Sequence, residues 1–197
     1  MTRVKELPSL ACLHGLLDYC PETGELRWKP RDESQFEGDY KIRNCKIWNA
    51  NHAEKLAGSV NNGYISVRFN NKSYQAHRII WKMHNGSDLP FTDYEIDHID
   101  GNRMNNKIDN LRLATRSENG WNITKAGANS ASGIRGVSWD KRRSKWESKI
   151  HVGGHKKFLG YFNSVSEAED AYIAARFKYH GEFVPKSVSE TAAARSE

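Results

Sequence analysis

The sequence predicts an α+β protein. An N-terminal part is built round a strand–loop–strand–helix finger, and a C-terminal three-stranded antiparallel sheet packs on one helix. Three observations predict this. Residues 94–122 carry a short apolar run, an Asn-rich polar loop, a second short apolar run and a helix-start signature, in that order. Residues 145–152 alternate cleanly, with Trp146, Ser148, Ile150 and Val152 on one face and Lys145, Glu147, Lys149 and His151 on the other. Ala168, Ala171, Tyr172 and Ala175 make one helical stripe, whose small residues let a helix approach a sheet closely.

From the N-terminus, Leu10, Leu13, Leu16 and Leu17 recur at helical spacing and predict a short helix within residues 7–19. Pro21-Glu22-Thr23-Gly24 reads as a turn, and residues 25–29 as a strand with Leu26 and Trp28 in the core. Residues 30–55 read as irregular, with Cys45 and Trp48 as packing residues. Residues 64–69 and 72–76 read as a hairpin turned at Asn70-Asn71. A helix follows over residues 77–84 and stops at Asn85-Gly86. His77 and Arg78, at its start, suit a phosphate contact or a structural place equally.

The finger then begins. An apolar run ends in Asp97-His98, and Asp100-Gly101 turns the chain. Leu111-Arg112-Leu113 is the returning strand, and Thr115 with Glu118 forms a capping-box pattern that starts a helix carrying Asn119. Asp97 and the Asn119 carbonyl are hard oxygen donors, which suit Mg²⁺ or Mn²⁺ held with waters. His98 is suited to take a proton from water near neutral pH, and Asn110 to fix its ring through a hydrogen bond. Side chains alternate along a strand, so Asp97 and His98 serve one site only if the strand ends and twists there. The plain alternative is structural, with an Asp-His pair closing a strand and Asn residues capping turns.

The order Asp97-His98, Asn110, Asn119, together with Asp100-Gly101-Asn102 and Asn105-Asn106, resembles the HNH nucleases. The likeness is to their phage and intron-homing branch, in which the third position is Asn. The resemblance implies a ββα-metal finger in which Asp97 and Asn119 hold a divalent ion, His98 is the general base and Asn110 orients His98. Asn at position 119, where other members have His, implies Mg²⁺ or Mn²⁺ rather than Zn²⁺ or Ni²⁺. The hairpin and helix of residues 64–84 resemble the segment preceding the finger in those nucleases.

Residues 124–132, rich in Ala, Gly, Ser and Asn, read as a linker. Strands follow over residues 134–139, 145–152 and 156–162, with a basic turn at Lys141, Arg142 and Arg143, and then a helix over residues 166–180 closed by Gly181. Glu167, Glu169 and Asp170 suit the start of that helix, and Arg176 and Lys178 its end. Arg135-Gly136-Val137, Leu159-Gly160-Tyr161-Phe162 and the Ala-rich helix ending His180-Gly181 resemble the DNA-binding domain of plant ethylene-response factors, the APETALA type. That resemblance implies DNA read by the sheet, with Arg135, Lys145, Lys149 and His151 on the reading face and Arg142 and Lys157 on phosphates. Ser138 and Lys149 differ from the residues common in the plant proteins, so the plant target sequence does not carry over.

The expected domains are residues 1–124, with the finger core about 94–123; a linker, 125–132; a DNA-binding module, 133–184; and a disordered tail, 185–197. A net charge of +6 and a pI near 9.2 suit an anionic partner, double-stranded DNA first. Three widely spaced cysteines, with no Cys-x-x-Cys pair, indicate neither a zinc cluster nor a disulfide framework, and suit the cytoplasm. No apolar run approaches a membrane span. The expected function is a metal-dependent DNA endonuclease acting as a monomer, with dimerisation left open. The alternatives are a DNA-binding protein with an inactive finger and a partner of RNA or structured nucleic acid.

Overall fold

A computed structural model describes residues 6–87, 93–123, 126–127 and 130–184. The tail beyond residue 184, Lys125 and part of the expected linker lie outside these. The chain is a mixed α+β protein of small sheets and helices, and it divides into two compact units. The first holds residues 1–98 and 102–113, the second residues 99–101 and 114–197. Among the described residues, no helix is long and apolar enough to cross a membrane.

The first unit opens with α1 (Leu10–Leu16), whose N-cap Ser9 accepts from the Cys12 N–H. The helix ends earlier than its leucine spacing suggests, because Leu17 already starts β1 (Leu17–Cys20). β1 pairs antiparallel with β2 (Glu25–Trp28). Tyr19 therefore belongs to a strand rather than to the helix. α2 (Lys41–His52) occupies part of the stretch that reads as irregular. Only Cys45 of its twelve residues is buried, so it has no apolar stripe to betray it in sequence. Cys45 and Trp48 do pack inward, Trp48 meeting Trp28 edge-on at 5.7 Å.

β3 (Ser59–Asn61), β4 (Tyr64–Phe69) and β5 (Lys72–Gln75) form a meander in the order β3-β4-β5. β3 is fully exposed and short, and its residues carry no alternation. The Asn70-Asn71 turn has both residues at positive φ, which Asn tolerates better than other side chains. α3 (Ala76–Asn85) follows directly and closes at Gly86 in the left-handed region. It buries Ile79, Ile80 and Met83 in a core shared with Leu13, Leu17, Leu26, Trp28, Val67 and Phe69. Ile96 and Leu111, one from each finger strand, end in the same core.

β6 (Tyr94–His98) and β7 (Leu111–Thr115) make the two-stranded sheet of the finger. The loop between them is braced by the first hairpin. Gly24 lies at φ +75°, and a Cβ there would come within 2.4 Å of the Lys107 backbone nitrogen and 2.5 Å of the Asn106 carbonyl carbon. Only glycine permits both that conformation and that approach.

The second unit contains α4 (Arg116–Trp121) and a sheet of β8 (Val137–Asp140), β9 (Lys145–Val152) and β10 (His155–Phe162), ordered β10-β9-β8 and antiparallel throughout. α5 (Val165–His180) covers one face, burying Ala168, Tyr172 and Ala175 against Val137 and Ile150. Gly136, at φ +79°, lets the backbone pass Tyr172, since a Cβ would lie 2.4 Å from that ring.

Candidate active site and nucleic-acid face

The finger strand ends at His98. Asp97 and His98 are both about 4% exposed, although neighbours on a strand point to opposite sides. Asp97 meets Arg112 of the returning strand, whose Nε and Nη2 donate to Asp97 Oδ2 at 3.0 and 2.8 Å. Both members are largely buried, so the attraction is little screened and the carboxylate needs the guanidinium. Sequence reasoning assigned Arg112 only to a strand. Its place in an apolar strand that returns past the Asp97 strand was the signal available.

His98 is oriented by Asn106. His98 Nε2 lies 3.1 Å from Asn106 Oδ1, and Asn106 is 1% exposed. The Asn106 Nδ2 donates to the Met104 carbonyl at 3.3 Å, which turns Oδ1 toward the ring. An amide oxygen only accepts, so Nε2 carries the proton and Nδ1 is the basic nitrogen. Asn110 donates from Nδ2 to the Asn105 carbonyl at 2.8 Å, bracing the loop next to Asn106. Asn106 was visible in the sequence only as part of the motif, because nothing in spacing separates an Asn that orients a ring from one that caps a turn.

A second imidazole faces His98. His77, at the start of α3, sits with ring centroids 5.1 Å from His98 and 5.4 Å from Tyr64. Burial, then the neighbouring His98 and Arg78, push His77 down to about 3, so it is neutral. Arg103 lies over the Tyr64 ring at 4.8 Å.

Asn119 belongs to the second unit, whereas Asp97, His98 and Asn110 belong to the first. It rides on α4, which is started by a complete capping box. The Glu118 N–H donates to Thr115 Oγ1 at 3.3 Å, and the Thr115 N–H donates to Glu118 Oε2 at 2.7 Å.

Among the described residues, no group of three or more His, Cys, Asp or Glu side chains gathers. A zinc-type cage is therefore not assembled among them. A hard cation held by a carboxylate, an amide oxygen and waters needs no such cage, and the oxygen chemistry of Asp97 and Asn119 fits that ion. Arg112 binds Asp97 through Oδ2.

On the second unit, the register puts Lys145, Glu147, Lys149 and His151 on the sheet face away from α5. Lys156 and Phe158 join them from β10 as partners of His151 and Lys149. Lys149 Nζ pairs with Glu147 Oε1 at 2.8 Å. Lys145, Arg142 and His151 are exposed. The Asp140 carboxylate accepts from the backbone of Arg142 and Arg143, which fixes the basic turn and holds Asp140 below the usual carboxylate range. Lys157 is the register partner of the buried Ile150, and its ammonium lies over the Tyr179 ring at 4.9 Å. Arg135 is turned inward: its Nη1 donates to the carbonyls of Gly120 and Ile123 at 2.9 and 2.8 Å.

The family model described as HNH endonuclease matches residues 74–121, from β5 through the finger to the end of α4. Protein 3.8 of Escherichia phage T7 is 37% identical over 112 residues, covering 57% of this chain and 89% of that protein. The chain belongs to the family of this phage protein. It carries an HNH endonuclease domain. An uncharacterized HNH endonuclease of Acanthamoeba polyphaga mimivirus is 36% identical over 109 residues, covering 55% of this chain. The match spans 54% of that viral protein, little more than half its length. No solved structure is a significant match.

Proposed function

We propose that the protein is a metal-dependent DNA endonuclease of the HNH type, with a C-terminal β-sheet module that holds duplex DNA. The single observation that carries the reading is His98. It is a buried imidazole whose Nε2 proton is committed to Asn106, so that its other nitrogen is the base, inside a segment matched by the HNH family model. His98 would take a proton from a water that attacks the scissile phosphorus in line with the leaving 3′ oxygen. The phosphorus–O3′ bond breaks, the leaving oxygen is protonated by solvent, and the products are a 5′-phosphate and a 3′-hydroxyl. Asp97 and Asn119 would hold a Mg²⁺-type or Mn²⁺-type ion, a pairing supported by motif order and donor chemistry. Such an ion supplies positive charge at the scissile phosphate and the leaving oxygen. Asn106 orients His98 directly, Asn110 braces the loop that carries Asn106, and Arg112 holds Asp97.

Lys145, Lys149 and His151, with Arg142 on the adjoining turn, would face the DNA from the open sheet, as the resemblance to the ethylene-response-factor domain suggests. Phosphate contacts of this kind give affinity that falls steeply with salt. Arg135 donates to two carbonyls of its own unit and the exposed Lys157 lies over the Tyr179 ring, so both are weaker candidates for DNA contact. Plasmid cleavage in Mg²⁺ by wild type and His98→Ala tests the reading, since equal cutting by both would remove His98 as the base. The rival reading, a DNA-binding protein with an inactive finger, predicts salt-sensitive binding and no cleavage with any divalent ion.

A further inference from the structure

We infer that the C-terminal module sets the position of Asn119. Arg135, Arg176 and the Trp121–His180 ring pair are positioning residues that clamp the end of α4. The inference rests on the nuclease reading only in giving Asn119 a ligand role.

A helix end leaves its last carbonyls without intrahelical partners and carries partial negative charge. α4 is six residues long, too short to be stable by itself. Its end is nonetheless held by three kinds of contact. Arg135 donates to the carbonyls of Gly120 and Ile123 at 2.9 and 2.8 Å. Arg176 of α5 donates from Nη2 to the Trp121 carbonyl at 2.6 Å, across 55 positions of sequence, and is itself 2% exposed. The Trp121 indole lies flat on the His180 imidazole, with centroids 4.4 Å apart and planes within 4°. Phe183 meets the same indole edge-on at 6.1 Å. His180 is fixed in turn, because its Nε2–H donates to the His151 carbonyl of β9 at 2.9 Å.

These are costly arrangements. Two guanidinium groups are spent on backbone carbonyls, and Arg176 Nε and His180 Nδ1 are buried without a hydrogen-bond partner. A surface helix that needed only a cap would not require them. The carbonyls they hold belong to the residues one, two and four positions after Asn119, so motion of the helix end is motion of the amide ligand. Orientation of a ligand from outside its own coordination shell is worth about 10–100-fold in metal affinity.

The test uses the full-length protein with Arg176→Ala, Trp121→Ala and Trp121→Phe. Hydrogen exchange is read by mass spectrometry over residues 116–122, with the β9 peptide over residues 145–152 as the folding control. Mn²⁺ affinity is read from the electron paramagnetic resonance signal of the free ion. Arg176→Ala and Trp121→Ala should speed exchange over residues 116–122 by tenfold or more, leave β9 protected, and weaken Mn²⁺ binding about tenfold. Trp121→Phe keeps a ring on His180 and should recover most of both. Unchanged exchange at α4 would overturn the clamp. Loosened α4 with unchanged Mn²⁺ affinity would overturn its link to Asn119. Wild type that binds no Mn²⁺ would refute the ligand role on which the link rests, while exchange at α4 still decides the clamp.

Discussion

Replacing Asn106 by alanine isolates the hydrogen bond that selects the basic nitrogen of His98. The bond spans 3.1 Å between two side chains that are 1% and 4% exposed, so water cannot replace the lost acceptor. Leaving a buried N–H without a partner costs about 1–3 kcal/mol. The ring escapes that cost by moving its proton to Nδ1 or by rotating, and either change removes the base from the attacking water. About 2 kcal/mol expressed in the transition state is roughly a 30-fold loss in kcat/KM. The assay is single-turnover cleavage of supercoiled plasmid in Mg²⁺, with thermal denaturation as the check on folding. Asn110→Ala is the comparison, since Asn110 acts on the Asn105 carbonyl beside Asn106 and should cost only several-fold. Asn106→Ala that folds normally and cuts within twofold of wild type would refute the assignment. Asn110→Ala with the larger loss would move the orienting role to Asn110.

Other consequences follow from the same geometry. Arg112→Ala leaves the Asp97 carboxylate buried without its guanidinium and should destabilise the first unit by about 3 kcal/mol, read by denaturant titration. His77 titrates near 3 in the fold against an ordinary value of 6.5, so stability is complete above about pH 6.5 and falls as pH drops through that window. At pH 5 the loss is about 2 kcal/mol, and His77→Phe should abolish that slope in Tm between pH 7 and pH 5. Gly24→Ala combines a positive φ with a backbone clash against Asn106 and Lys107, and should cost about 2 kcal/mol or more while lowering cleavage through Asn106. Lys145→Ala should weaken DNA binding uniformly across sequences and reduce its salt dependence by about one phosphate contact, measured by fluorescence anisotropy.

The finger was legible because its elements are written in strong local signals. A capping box, a turn glycine and an apolar run each act over three or four residues, and the family motif fixes their order. The α5 stripe and the β9 alternation were legible for the same reason. α2 was not, because it buries one residue and so leaves no period in the sequence. β1 was hidden because Leu17 completes the leucine spacing of a helix while pairing as a strand with Trp28. The site partners were harder still. Arg112 with Asp97, Asn106 with His98 and Arg176 with Trp121 are contacts between side chains or backbone brought together by tertiary structure. The resemblance to the plant DNA-binding domain implied a DNA-facing Arg135, and the fold shows its Nη1 donating to two carbonyls, contacts that no local pattern signals. Lys157 shows the effect of register: its partner is Ile150, and its ammonium is on the α5 side over Tyr179.

The most direct measurement is cleavage of supercoiled plasmid by the full-length protein with EDTA, Mg²⁺ or Mn²⁺, alongside His98→Ala, with the product ends mapped. The account predicts cutting only with a divalent ion, 5′-phosphate and 3′-hydroxyl ends, and a loss of about 100-fold or more in His98→Ala. Cutting that survives EDTA, equal cutting by His98→Ala, or tight DNA binding with no cleavage under any divalent ion would contradict it.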